Sequence, residues 1–573
     1  MRFEARTALY CPEYIHKFYA PSAFDLTLRI KEGEDRLADE YKRLGLVHEE
    51  KVLEKVRANG LRVLQIDLSE TYKTKSQQTA EALMNHEIDI ILGANIDEET
   101  EVALQPFLGD LHHFDPDRVS RPDLLVRVGA NPHPMWAPVD VKSHGASAEN
   151  KTHTLDRTNL DLTPAEEPSI VGRFKKEDAL QLAHYAIHLQ NIGVAYSDAR
   201  AGIIGKDGES IHWANLDQVR LGAGKNAPSA ILVYYENFKF AQDLAVNSIA
   251  KNRDHAIQVD SIARVTPGDY GCMRCEFKRV CIKEIEAFDG GNGHVTLLAD
   301  VTPIFQKAHI PDIESIAELR ITTNLPAQAE SAKIRARVWQ TEVPELLKPN
   351  ENFLIPEFDI EIDIDLENSQ AALFENLGEE LPGKDQVYLY GYGILDRTKV
   401  KDWKSADFNS IINFDDTVEA EIEVLSTMWQ VLKTEVSKAE ADGKTIGIFH
   451  YSSHEKTWFR KFARRHAAVP GTPSLQEVED FMAKYFVDLL KYSVLVALPV
   501  TGYGIKKLAP LAGFAWQVSD PGGAESLLKY RESIDEKLIP GVREANQEWL
   551  RSYNIDDVKA TFAVREYLRA LKF

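Results

Sequence analysis

The stretch LIPEFDIEIDID, residues 354–365, sets an acid at every second position from Asp359 onward, with isoleucines between. Successive side chains of a strand point to opposite faces, so Asp359 and Glu361 share one face and the isoleucines the other. Asp363 and Asp365 continue the same alternation, which leaves the register open. Downstream, IGIFHYSSHEKTWFRKFA (446–463) places Glu455 at a strand-to-helix junction. RSYNIDDVKATFAV (551–564) places Tyr553 and Asp557 four apart at the start of a helix. Four carboxylates from such separated segments, Asp359, Glu361, Glu455 and Asp557, can bind two metal ions about 4 Å apart, the arrangement for in-line phosphodiester cleavage. A tyrosine beside one metal can orient the attacking water. Asp488 in FVDLL reads as a helix-entry cap. Asp556 reads as a solvated first-turn acid.

The rest of the chain sets the context. It has 573 residues, enough for two to four domains. No run of 18 apolar residues appears, so no membrane span is expected. The N-terminal MRFEARTALY lacks the basic and apolar regions of a signal peptide, and a cytoplasmic location is expected. The net charge of −22 argues against a passive nucleic-acid coat, although an enzyme can still hold nucleic acid in a local basic groove.

Residues 1–290 mix helices with short strands. LRVLQID, IDIILGANI, RPDLLVRVG and APVDVKSH predict strands, and KEDALQLAHYAIHLQNIG a helix ending at a glycine. Residues 144–176 are polar without periodicity and predict a loop. Asp123 opens one strand, and Asp140 and Lys142 share a face of the next. Two carboxylates and a lysine at a strand pair can hold a divalent cation, orient a water and stabilise developing negative charge. Alone, this pattern is weak. Gln181 and Tyr185, four apart, share a helical face. His48 precedes the strands.

The four cysteines of the chain are Cys11, Cys272, Cys275 and Cys281. Their number and context do not suit a disulfide framework. Four thiolates suit zinc or an iron–sulfur cluster.

The order Cys, His, Asp, DxK, QxxxY, CxxCx5C resembles the RecB-type nucleases of the PD-(D/E)xK superfamily, in the iron–sulfur branch that includes the CRISPR adaptation and AddB-type repair nucleases. The likeness covers about residues 1–285. It implies a restriction-endonuclease-like domain with His48, Asp123 and Asp140 on a catalytic Mg²⁺ or Mn²⁺, and Lys142, Gln181 and Tyr185 beside it. It also implies a [4Fe–4S] cluster on the four cysteines, stapling the N-terminus to the end of the domain. One departure is Asp140 in place of the commoner Glu. The C-terminal stretch, about 351–573, resembles the DEDD exonucleases of the RNase H-like fold in their tyrosine subtype, and within them the YprB-like group. Here Asp359 and Glu361 stand for the DxE motif, Tyr553 and Asp557 for YxxxD, and Glu455 falls where the second motif carries Asp. FVDLLKY and GYGIKKLAPLAGF fit the group's intermediate segments.

The expected class is α/β, in three parts: a nuclease domain over 1–290, an all-helical connector over 291–350 resembling a helix–hairpin–helix segment, and an RNase H-like 3′–5′ exonuclease module over 351–573. The implied activity is hydrolysis of DNA at single strands or ends, in repair or defence. A ribonuclease and a nucleic-acid scaffold with a silent centre are the alternatives. Phosphate contacts are expected from Lys333, Arg335 and Arg337, and from Arg460, Lys461, Arg464 and Arg465. LGAGKNAPS around Lys225 lacks the full phosphate-loop pattern, so unwinding would fall to a helicase on another chain.

Overall fold

The computed structural model describes residues 2–9, 11–31, 34–67, 69–109, 112–115, 117–130, 133–146, 154–195, 198–222, 226–253, 272, 275–301, 304, 313–348, 353–369, 385–400, 403–519 and 522–573. Among these, one compact unit draws on 1–28 and 38–263, and a second on 29–37, 264–373 and 380–573. In this division Cys272 and the described residues of 291–350 group with the second unit. Lys225 lies outside the described residues.

The first unit contains the helices Pro12–Tyr19 (α1), Arg36–Ala58 (α2, part of this unit from Ala38), Tyr72–Leu83 (α3), Glu98–Leu108 (α4), Lys176–Asn191 (α5) and Ala230–Arg253 (α6). Its strands are Val63–Gln65 (β1), Ile90–Leu92 (β2), Leu124–Ala130 (β3), Pro134–Val141 (β4), Thr154–Asn159 (β5), Pro164–Val171 (β6), Arg200–Ile204 (β7) and Ser210–Asn215 (β8). They form one sheet in the order β1-β2-β3-β4-β7-β8-β5-β6. β3 runs antiparallel to both β2 and β4, and β7 runs parallel to β4. β4 is buried along nearly its whole length, as a central strand covered on both faces must be. That is why PMWAPVDV is apolar almost throughout. α5 buries Ala179, Leu182, Ala183 and Ala186 in the core beneath the sheet.

The loop expected over 144–176 is instead, from Thr154 on, the antiparallel hairpin β5–β6, with β5 joined to β8. Only Leu155 in β5 and Ala165 in β6 are buried. With both faces open to water, the hairpin needs no alternating apolar pattern, so the period-two signal is missing.

The second unit contains the helices Lys278–Gly291 (α7), Ile316–Ile321 (α8), Glu330–Thr341 (α9), Val418–Ala441 (α10), His454–Arg465 (α11), Leu475–Tyr485 (α12), Leu489–Ser493 (α13), Ile505–Leu508 (α14), Gly523–Ile534 (α15) and Pro540–Ala570 (α16). The strands Glu345–Leu346 (β9) and Val496–Ala497 (β15) pair antiparallel, so the 291–350 segment is not all helical. The strands Ile360–Asn368 (β10), Val387–Asp396 (β11), Asp407–Ile412 (β12), Ile446–His450 (β13) and Phe486–Asp488 (β14) form a sheet in the order β12-β11-β10-β13-β14. In order of appearance this is 3-2-1-4-5, with β11 alone antiparallel to the others.

β10 starts at Ile360, six residues later than the stretch at 354 predicts, and runs on to Asn368. Ile360–Ile364 are buried, because β11 and β13 flank the strand and α16 packs along it. α16 begins at Pro540, so Tyr553 and Asp557 lie in mid-helix rather than at a helix start. The acids that suggested a first turn are there for another reason, given below.

Candidate functional site

Among the described residues, one group of three ligand-type side chains brings donor atoms within 4.8 Å of one another: Asp365, Glu367 and Asp557. Asp365 and Glu367 sit two apart on β10 and so share a face. Asp557 reaches them from α16. The second unit therefore uses a DxE pair six residues beyond the one expected. Burial, with the charges of Asp557, Glu367 and Glu455, pushes the Asp365 carboxyl well above its usual range. Burial and Asp557 push Glu367 up to about 8. Burial raises Asp557 to about 6 against the opposing charge of Lys506. Carboxyls crowded and desolvated in this way either hold protons or need a cation.

Neighbouring groups fix the trio. Asn554 Nδ2 donates to Asp365 Oδ2 at 2.7 Å, Trp516 Nε1 donates to Asp557 Oδ1 at 2.6 Å, and Ser526 Oγ donates to Glu367 Oε2 at 3.3 Å. Asn554, fully buried, fits because Gly391 lies opposite Asp365 on β11. A Cβ at Gly391 would fall 2.1 Å from Asn554 Oδ1. Tyr553 lies one turn before Asp557 on α16 and its phenol holds that carboxyl down, while Lys506 Nζ bonds to the phenol oxygen.

Asp359 and Glu361 do not join this site. Asp359 is held by Thr445, whose backbone N donates to Asp359 Oδ2 at 2.8 Å and whose Oγ1 donates at 2.9 Å. Glu361 is buried among three guanidiniums, Arg397 Nε at 2.5 Å, Arg569 at 2.7 Å and Arg565 at 3.0 Å. Asp363 takes the other end of Arg565 at 2.5 Å. The register was ambiguous because the acids alternate unbroken. The arginines of α16 neutralise the first part of the row and leave the last part for the site.

Glu455 at the start of α11 is buried, and its charge acts on Asp365. Its Oε2 lies 3.4 Å from Nδ1 of the buried His450 and has no hydrogen bond. Asp488 accepts from the backbone N of Leu490 and of Ser452, both at 3.1 Å, the cap read from sequence. Asp556 is not solvated. It is buried and accepts from the backbone N of Gln517 at 2.7 Å, which pins the segment carrying Trp516.

In the first unit, Val141 N donates to Asp123 Oδ2 at 2.7 Å, tying the entry of β3 to the end of β4. Lys142 Nζ lies 3.0 Å from Asp140 and donates to Gln181 Oε1 at 2.9 Å; Gln181 Nε2 donates to the Tyr185 hydroxyl at 2.9 Å. Asp123, Asp140, Lys142, Gln181 and Tyr185 thus form one connected group. Burial and the charges of Asp140 and Glu49 raise the Asp123 carboxyl well above its usual range. Burial opposes the Lys142 ammonium, yet Asp140, Asp123 and Asp178 lift it above the ordinary value. Burial pushes His48 down, leaving a neutral imidazole whose buried Nε2 has no hydrogen-bond partner. Asp140 is likewise buried, its Oδ1 without a hydrogen bond and its Oδ2 paired with Lys142. Glu49 and Asp178 were not singled out in the sequence. Glu49 adjoins His48, and Asp178 lies one turn before Gln181. His48, Asp123 and Asp140 do not close to the 4.8 Å spacing of the other trio.

Cys272, Cys275 and Cys281 belong to the second unit and Cys11 to the first. None forms a disulfide. Cys275 N donates to Cys272 O at 3.2 Å, and Cys281 is buried in the first turn of α7. Cys11 caps α1, its Sγ accepting from Tyr14 N at 3.4 Å. The basic residues expected on phosphate are mostly engaged within the protein. Lys333 donates to Thr322 O at 2.7 Å, Arg335 is buried, and Arg337 pairs with Glu345. Arg460 pairs with Glu479, Lys461 with Asp385, and Arg465 with Glu421, while Arg464 is exposed.

A family model described as RNase_H superfamily matches residues 378–569. The match takes in Glu455, Tyr553 and Asp557 and begins after β10, the strand of Asp365 and Glu367. The chain therefore carries an RNase H-like domain. Comparison with curated proteins gives no match, and comparison with solved structures gives none. Among the described residues, no helix is long and apolar enough to cross a membrane.

Proposed function

We propose that the protein is a metal-dependent nuclease whose RNase H-like domain hydrolyses phosphodiester bonds at Asp365, Glu367, Asp557 and Glu455. The observation that carries this reading is the convergence of three carboxyls within 4.8 Å, Asp557 buried and Asp365 and Glu367 half-buried, with Glu367 and Asp557 driven to about 8 and about 6. Bound divalent cations would polarise the scissile phosphate and make a bound water a better nucleophile. The chain's own part is to hold the ligands. Asn554, Trp516 and Ser526 orient the three carboxylates, and Tyr553, anchored to Asp557, is placed to direct a water. DNA is the favoured substrate, from the resemblance to exonucleases that digest one nucleotide at a time from a 3′ end. RNA is the alternative. Duplex unwinding, where needed, falls to a separate helicase.

A second centre is proposed in the first unit, of the PD-(D/E)xK kind. The meander β2–β3–β4, followed by α5 and by β7 parallel to β4, supports it. The unpartnered His48 Nε2 and Asp140 Oδ1 suit a metal ligand set completed by Asp123. Lys142 would stabilise charge developing on the phosphate, and Gln181 and Tyr185 hold Lys142 in place.

The test is cleavage of end-labelled single- and double-stranded DNA and RNA with Mn²⁺ or Mg²⁺. Asp365→Asn and Asp140→Asn should each remove one cutting activity, by a factor of 10² or more, on the order of 3 kcal/mol of barrier. Full activity in the double variant rejects both centres. The four cysteines are proposed to hold a [4Fe–4S] cluster. Protein purified without oxygen should be brown, with iron and sulfide lost in Cys275→Ser. Colourless protein with one equivalent of zinc rejects iron.

A further inference from the structure

The segment GYGIKKLAP carries two adjacent lysines with different surroundings. Lys507 is exposed, whereas Lys506 is half-buried. Lys506 Nζ bonds to the Tyr553 hydroxyl and lies 4.5 Å from the centre of its ring. Tyr553 also stacks on Trp549, with ring centroids 5.0 Å apart. The same phenol lies one turn before Asp557 on α16 and holds its carboxyl down. An ammonium has donors only, so the phenol oxygen must accept from it, and the phenol hydrogen is then left for Asp557. We propose that Lys506 is a positioning residue of the RNase H-like centre: it locks the donor direction of Tyr553 and serves as the built-in counter-ion of the carboxylates until divalent cations displace its charge.

The electrostatics agree with the geometry. The Lys506 charge opposes the effect of burial at Asp365, Glu367 and Asp557. The same charge must repel an arriving dication, so the lysine trades metal affinity for a preset tyrosine. The inference rests on the proposed nuclease centre, and its test has one arm that does not depend on cleavage.

That arm is Mn²⁺ binding by calorimetry, on the full chain carrying Asp140→Asn to weaken the other centre. Lys506→Met should tighten Mn²⁺ at the Asp365 site by roughly threefold or more, through loss of one nearby positive charge. Lys506→Arg should return the affinity to that of the parent, and Lys507→Met should leave it unchanged. The second arm is kinetic. Lys506→Met should lower kcat about tenfold with KM little altered. In a Tyr553→Phe background the same substitution should lower kcat far less, because the group it positions is gone. If Lys506→Met does not fold, Lys506→Gln takes its place. Unchanged or weaker Mn²⁺ binding in the folded variant overturns the counter-ion role. Equal kcat losses in the two backgrounds overturn the positioning role. Metal binding that follows the prediction in a chain that cuts nothing would defeat the nuclease reading and leave the counter-ion role standing.

Discussion

Gly391 shows how narrowly the carboxylate site is built at the scale of one residue. It faces Asp365 across the β10–β11 ladder, and the missing side chain is the space Asn554 occupies. A methyl group 2.1 Å from Asn554 Oδ1 cannot be absorbed, because that oxygen belongs to a short, buried side chain on a packed helix. Gly391→Ala should therefore displace Asn554 and free Asp365 Oδ2. The expected outcome is a folded protein that needs several-fold more Mn²⁺ for half-maximal cleavage, read from a metal titration. An unchanged titration would mean that Asn554 does not position Asp365. The site was partly legible at this scale. Of the residues named from the sequence, Asp557 lies in the trio and the charge of Glu455 acts on Asp365, and the alternating acids announced a carboxylate strand. Which acids serve the site could not be read, since a period of two repeats itself at every candidate pair. The choice is made by Arg397, Arg565 and Arg569, which lie far from the strand in sequence.

At the scale of elements, α16 does two jobs. Its middle carries Tyr553, Asn554 and Asp557 into the site, and its last turns carry Arg565 and Arg569 to the buried acids of β10. Arg565 is wholly buried, between Glu361 and Asp363 and within 4.3 Å of the rings of Phe449 and Phe562. Removing it leaves two carboxylates out of water with less compensation. Loss of one member of a buried ion cluster costs about 3–5 kcal/mol. Arg565→Met should destabilise the unit by that amount in chemical denaturation, whereas Lys507→Met should be near neutral. A loss under about 1 kcal/mol would mean that Arg397 and Arg569 suffice. The helix start assigned near Asp556 fails for a related reason. Acids gather in a first turn for the helix dipole, but Asp556 and Asp557 gather here for Gln517 N, Trp516 and the carboxylate trio. In the other unit, β3, β4 and α5 were legible because their apolar runs are buried, and the β5–β6 hairpin was not because it buries almost nothing.

For the whole molecule, the crowded carboxyls set how stability responds to pH and to metal. Glu367 and Asp557 have ordinary values of 4.5 and 3.8 and are raised in the fold to about 8 and about 6. Below the ordinary values, folded and unfolded chains are both protonated, and the contribution to stability is fully present. As pH rises, the unfolded chain loses its protons first. The metal-free fold must then keep protons or bear repelling charges, and this contribution is lost as pH climbs through about 6 and then about 8. A divalent cation reverses the sign, because it binds the ionised trio and is excluded by the protonated one. Millimolar Mn²⁺ should accordingly raise the thermal midpoint of the full chain more at about pH 8 than at about pH 6, by ligand stabilisation of the folded state. The double variant Asp365→Asn, Glu367→Gln should lose most of that pH-dependent increment, while Asp359→Asn, on an acid outside the trio held by Thr445, should keep it. An increment equal at the two pH values, or one that survives the double variant, would place the metal elsewhere and return the carboxylate trio to a purely structural role.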